Sequence, residues 1–305
     1  IDKPAGMTSH DVVQRVRRLL GERRIGHTGT LDPFATGVLV LLIGRATRLA
    51  QFLSGADKEY EATIRLGFAT DTGDREGNPI SEKLKTQTTW SDDEIRNALQ
   101  RLRGEILQMP PMYSAKKRAG QRLYKLARKG EQIERMPVPV TIHNLEPLIA
   151  NAGLLKSNDD GTSDVQVRVV CSAGTYVRTL AEDFGKLLGV GAHLTELRRT
   201  RAGDFLLRDA ATLEQLQQRT EEDSLRTILL PPDAALSSMP FLYLSAEDVQ
   251  RVRHGMALPR PAEIWREGEK VRMKDEHDEL IAIGVYDSGN RLLRPRVVLA
   301  QENFD

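Results

Sequence analysis

From Glu59 to Phe68 the side chains change character at every step: Tyr60, Ala62, Ile64, Leu66 and Phe68 alternate with Glu59, Glu61, Thr63, Arg65 and Gly67. A period of two fits a strand with one buried face, so the chain must build a sheet covered on the side that holds Tyr60. Helical spacing supplies the cover. Val12, Val13, Val16, Leu19 and Leu20 recur after the candidate caps Thr8 and Ser9, and Gly21 stops the run. Ser91 with Glu94 forms a capping-box pattern ahead of Ile95, Leu99 and Leu102, with Gly104 as the stop. The spacing of Val177, Leu180, Ala181, Phe184, Leu187 and Leu188 predicts a helix over 175–188, directly after the strand pattern Val165, Val167, Val169, Cys171. Strands and helices mix without regular βα alternation, which predicts an α+β fold and argues against a doubly wound parallel sheet.

Residues 231–240 have the proline, serine and alanine content of a linker and mark an expected domain boundary. Beyond them come a short strand at 241–244, a helix capped by Ser245, strand-like runs at 270–273, 280–286 and 291–299, and a turn at Asp287-Ser288-Gly289-Asn290. That pattern fits any small barrel. Arg251, Arg253, Arg272 and Arg294 are there either to touch RNA or to keep the domain soluble, and 151–163 reads as a flexible polar loop.

At 305 residues, 40% of them hydrophobic, the chain has room for about two domains with real cores. One cysteine, Cys171, excludes an internal disulfide framework and points to a reducing compartment, so the cytoplasm is the expected location. The longest purely apolar run, Val38 to Ile43, is six residues, against roughly 20 for a membrane span. The six histidines (10, 27, 143, 193, 254, 277) have no paired ligand spacing, so no metal is implied. Net charge is only +1, which lacks the usual mark of a nucleic-acid binder. Locally the balance differs: residues 111–135 hold eight basic side chains against Glu131 and Glu134, with Tyr113 and Tyr124 interleaved. Such a stripe is either a solvated face or a grip on an RNA backbone.

Asp32 is the residue to explain. It sits in Gly26-His27-Thr28-Gly29-Thr30-Leu31-Asp32-Pro33-Phe34-Ala35-Thr36-Gly37, where the following proline keeps it extended or in a turn and the glycines let backbone or ligand come close. An arbitrary Asp-Pro merely starts a turn. Here five further segments stand in order along the chain: Asp2-Lys3-Pro4-Ala5-Gly6-Met7-Thr8-Ser9, Asp57-Lys58-Glu59-Tyr60, Pro111-Met112-Tyr113-Ser114-Ala115-Lys116, Gly174-Thr175-Tyr176-Val177-Arg178-Thr179, and Gly191 to Arg199. Together with the Asp32 loop they resemble the motifs of the TruB family of pseudouridine synthases, which modify the T-arm uridine, position 55 of tRNA. The loop lacks the lysine of a P-loop and the spacing of a dinucleotide fingerprint.

The resemblance implies roles. Asp32 is the nucleophile, Arg178 the cation that keeps it ionised, and Tyr60 the active-site tyrosine that packs on the uridine and relays a proton. Tyr176 contacts the base from the other side, and Leu197 lines the uracil pocket. His27 fills the space left by the extruded nucleotide, and Lys3 supports the catalytic loop. Met112, Tyr113 and Lys116 belong to a basic insertion (about 105–137) that grips the T stem-loop. The implied organisation is a catalytic domain over 1–232 and a PUA-like RNA-binding domain over 240–305. It implies a monomer that needs no cofactor and no obligatory protein partner. A guide-RNA-dependent synthase and a tRNA-folding chaperone remain the alternatives, and three routes stay open: attack at C1′, addition at C6, or removal of the C2′ proton to a glycal.

Overall fold

The computed structural model describes residues 1–80, 89–111, 117–118, 121–122, 135–148, 153–259 and 265–299. The α+β expectation is borne out. Two compact units form: Ile1–Gln14, Gly29–Val40 and Ser54–Leu213 make the first, and Arg15–Thr28, Leu41–Leu53 and Glu214–Asp305 the second.

The first unit is built on a nine-stranded sheet in the order Asp2–Lys3, Thr36–Val38, Ala192–Ala202, Lys58–Leu66, Ser163–Cys171, Val138–Pro147, Gly104–Gln108, with Leu155–Ser157 and Phe205–Leu206 as side branches. The alternating run is the Lys58–Leu66 strand, and its Tyr60, Ala62, Ile64 and Leu66 are buried as the period requires. Only one pairing in this sheet is parallel, Thr36–Val38 against Arg198 and Arg199. Helix Val177–Leu187 buries Val177, Leu180, Ala181 and Phe184, and each large apolar side chain so covered contributes about 1.5–3 kcal/mol. Helix Asp92–Gln100 starts on the full Ser91/Glu94 capping box. It ends short of Gly104, which takes a φ of +89° and opens the edge strand instead.

Residues 153–163, expected as a flexible loop, are ordered otherwise. Leu155–Ser157 pairs antiparallel with Ser163–Val165, and Asp160 accepts from the Thr162 amide at 3.1 Å, while Asn158 Nδ2 donates to the Thr162 hydroxyl at 3.0 Å. Asn-Asp-Asp-Gly is thus the turn of a hairpin, stabilised by its own side chains.

The second unit holds a five-stranded sheet, Phe241–Tyr243, Lys270–Lys274, Leu280–Asp287, Leu292–Val298 and Leu258–Pro259 in spatial order, with helix Ala246–Arg253 capped by Ser245 as expected. Segment 231–240 is not loose here. Pro232–Leu236 forms a 3-10 turn, Leu236 is buried with Leu49, Ile283 and Leu299, and Asp233 accepts both Arg272 and Lys274 at 2.9 Å. Arg272 also donates to Met239 and Ser237 carbonyls and is 7% exposed, so it anchors the fold and is no RNA-facing side chain. Residues 41–53 join this unit through Leu49 and through Arg45 and Arg48, which donate to the Leu299 and Val298 carbonyls. No described helix is long and apolar enough to cross a membrane.

Candidate active site

The Asp32 loop is a turn held from several directions. The Ala35 amide donates to the Asp32 carbonyl at 3.1 Å, with Pro33 at the second turn position where its fixed φ fits. Before the turn, Ser9 Oγ donates to the Leu31 carbonyl and accepts the Leu31 amide at 2.8 Å. After it, the chain enters the Thr36–Val38 strand between Asp2–Lys3 and Arg198–Arg199.

Arg178 meets the carboxylate with a two-pronged bond, Nε to Oδ2 at 2.9 Å and Nη2 to Oδ1 at 3.2 Å. Its Nη1 donates to the Thr72 carbonyl at 2.8 Å and lies 3.6 Å from Asp74. Arg178 is in the first turn of its helix, and the backbone there is fixed by fully buried Gln108, whose Oε1 accepts the Tyr176 amide at 2.9 Å while its Nε2 donates to the Tyr176 carbonyl at 3.3 Å. Gln108 thereby caps a helix that has no side-chain cap of its own.

The Asp32 side chain is 31% exposed and the Arg178 side chain 5%, so the carboxylate faces water while the guanidinium does not. Burial pushes the Asp32 carboxyl above its ordinary value, the Arg178 guanidinium draws it back, and Asp74 adds a further upward push. Arginine does not deprotonate, so both hydrogen bonds favour the ionised carboxylate. Tyr60, 8% exposed, has its phenol pushed up by burial, and it faces Arg199 in the strand register.

Lys3 is completely buried. Its ammonium donates to the carbonyls of Pro4 at 2.8 Å, Met7 at 2.6 Å and Pro33 at 3.2 Å, the last directly after Asp32. Burial pulls the ammonium down to about 8, while Asp32 holds it up. Lys3→Met leaves three carbonyls short of a donor and is expected to cost about 1–3 kcal/mol and to slow catalysis by releasing Pro33. Thermal melting beside single-turnover kinetics checks this; a variant that melts and turns over like the wild type would make Lys3 idle.

The structure brings Asp32 together with Arg178 and, through Pro33, with Lys3, while Gln108 holds the Tyr176 backbone just ahead of Arg178 and Tyr60 lies opposite Arg199 in the strand register. Leu197, 7% exposed, lines an open pocket of about 360 Å³ with Ala5, Phe34, Ala62, Glu61, Arg75 and Arg198. Neither Asp32 nor Tyr60 is among the residues that line it. His27 lies in the Ile25–His27 strand, which pairs with Leu41–Ile43 in the second unit. Met112, Tyr113 and Lys116 lie outside the described residues. Sequence reasoning gave no role to Gln108, Asp74 or Arg199. A signal for the last existed: neighbouring Arg198 and Arg199 on one strand point to opposite faces, so one must go inward.

Comparison with known proteins agrees with this geometry. Residues 17–177 match the family model described as TruB family pseudouridylate synthase (N terminal domain), and residues 178–237 match the tRNA pseudouridylate synthase B C-terminal domain. The tRNA pseudouridine synthase B of Solibacter usitatus is 42% identical over 98% of this chain and 98% of its own length. That of Symbiobacterium thermophilum is 50% identical over 84% of this chain and 80% of its own. Among solved structures, an archaeal box H/ACA Nop10-Cbf5 complex is similar with a TM-score of 0.71 at 27% identity, covering 99% of this chain and 85% of that one. The Asp32 loop thus stands in a chain whose length is matched almost end to end by such relatives, and the chain belongs to the TruB family of pseudouridine synthases.

Proposed function

We propose that this chain is a stand-alone isomerase that converts the T-arm uridine of tRNA, position 55, to pseudouridine, with Asp32 as nucleophile. The observation that carries the reading is the half-open carboxylate locked by a buried, bidentate arginine. The reaction breaks the N1–C1′ bond of uridine, turns the base and joins C5 to C1′; the C5 proton is lost and N1 gains one, so no oxidant or leaving group is needed. A carboxylate serves by attack at C1′ or C6, or by taking the C2′ proton. Tyr60 relays the C5 proton; its position opposite Arg199, which bonds the Asp32 loop at Gly29, supports that role. A stacked uridine must first be extruded, at a cost of a few kcal/mol; Tyr176 and Leu197 receive the base, and His27, Met112, Tyr113 and Lys116 hold the RNA. Residues 240–305 add a second RNA-binding domain. The chain acts as a monomer in the cytoplasm.

The rival is the guided enzyme, since a structural neighbour is an H/ACA RNP bound to a substrate RNA. Identity favours the unguided reading: 42–50% to proteins named tRNA pseudouridine synthase B, against 27% to that complex. Incubating unmodified tRNA transcript with the purified chain, without guide RNA, cofactor or metal, and mapping pseudouridine at single-nucleotide resolution tests it. Product at the one T-arm uridine is expected. Bound but unmodified tRNA would transfer the case to a guided enzyme or a chaperone.

A further inference from the structure

Arg199 is 2% exposed, and the acceptors described for its guanidinium are neutral. Its Nε donates to the Val38 carbonyl at 2.7 Å and its Nη2 to the Gly29 carbonyl at 3.0 Å. Those two carbonyls flank the nucleophile loop, one before Asp32 and one after it. Arg199 and Tyr60 are direct partners in the register of two paired strands, so their side chains leave the sheet on the same face. Two further buried cations stand near: Lys3, and Lys58, whose ammonium donates to Ser54 and Ala56 carbonyls. A buried guanidinium without a carboxylate partner is costly to the fold, and such cost concentrates at functional sites.

We propose that Arg199 is the positioning residue that sets Asp32 and Tyr60 in one rigid frame, closing the loop between Gly29 and Val38 from the strand position directly opposite Tyr60. This rests on the reading of Asp32 as nucleophile and Tyr60 as proton relay. The planar fork matters. A lysine has one nitrogen and cannot hold both carbonyls in fixed directions, so charge alone does not replace it. Nucleophile and relay must keep their separation to a fraction of an ångström, because a displacement of about 1 Å costs on the order of 100-fold in rate.

The test uses the full chain with Arg199→Met and Arg199→Lys, single-turnover pseudouridine formation, tRNA affinity by filter binding, and 19F spectra of 3-fluorotyrosine protein with Tyr60 assigned against Tyr60→Phe. Arg199→Met is expected to lose about 100-fold in rate with tRNA affinity essentially unchanged, and to move the Tyr60 resonance and its titration. Arg199→Lys should recover only part of the rate. A Met variant with wild-type rate, or one whose rate and affinity fall equally, overturns the inference. If the Met variant does not fold, the Lys variant decides: wild-type turnover overturns, a selective rate loss supports. If neither folds, the Arg199 Nε proton of the wild type decides, slow solvent exchange supporting the buried fork and fast exchange refuting it. Asp32→Asn is run alongside. Should it keep full activity, the nucleophile assignment fails separately, and Arg199 is then judged by the Tyr60 resonance alone.

Discussion

Asp32→Asn is expected to lower the rate of pseudouridine formation by at least about four orders of magnitude while the protein still folds and binds tRNA. Asparagine has the size of aspartate but is no nucleophile, and it turns an amide toward a guanidinium that wants acceptors. Arg178 is not abandoned, since the Thr72 carbonyl and Asp74 still hold its Nη1. The loop also keeps its turn, its Ser9 bonds and its two flanking strands. Chemistry therefore falls and the scaffold remains. Single-turnover assays beside circular dichroism and filter binding read this out, and a variant keeping as much as about a hundredth of wild-type rate would mean that another group attacks. The wild type has its own signature. Burial raises the Asp32 carboxyl, and the proposed nucleophile attacks only when ionised, so turnover is expected to be lost as pH falls through that raised value, at higher pH than for an ordinary aspartate near about 3.9.

Gly37→Ala should have the second largest effect, through folding. Gly37 takes a φ of +102°, and an added Cβ would lie 2.7 Å from the Arg199 nitrogen and closer still to its carbonyl oxygen. Both obstacles are backbone, so no rotamer relieves them. Positive φ strains an alanine by about 1–3 kcal/mol, and forcing the strands apart adds about as much. A loss of about 3–5 kcal/mol is large against the roughly 5–15 kcal/mol that holds an average protein together. A drop in melting temperature of about 8 °C or more, or failure to accumulate, is expected. Gly29→Ala in the same loop is the control: its φ is not positive and its Cβ would meet Arg199 Nη1 at an ordinary 3.5 Å. If both variants melt alike, the clash is not the reason for the glycine.

What the sequence made legible is what repeats or caps. The Lys58–Leu66 strand was visible because its alternation reports a face, and the Ser91 helix because its cap is a local chemical pattern. Asp32 and Arg178 were paired through family motifs 146 residues apart, and the two side chains meet in a bidentate contact. Arg199 was hidden by its own chemistry, since a charged residue reads as solvated and only the fold shows carbonyls converging on it, and Lys3 stood out only through the family motif. Strands of two or three residues, such as Asp2–Lys3 and Thr36–Val38, are too short to show a period. Segment 231–240 read as a linker because proline and serine mark a turn as readily as a linker, and the turn at Pro232–Leu236 is what the structure shows.

The parallel pairing of Thr36–Val38 with Arg198 and Arg199 also sets an order of events. Arg199 reaches Val38 across 161 positions of chain, and synthesis runs from the N-terminus, with long-range contacts closing late. The segment carrying Asp32 is made early, yet only Ser9 and the Asp2–Lys3 strand can hold it until the Ala192–Ala202 strand exists. A ribosome partway through this message therefore carries Asp32, the proposed nucleophile, in a loop braced on one side only, and the proposed competence to modify RNA comes only when the unit is nearly complete.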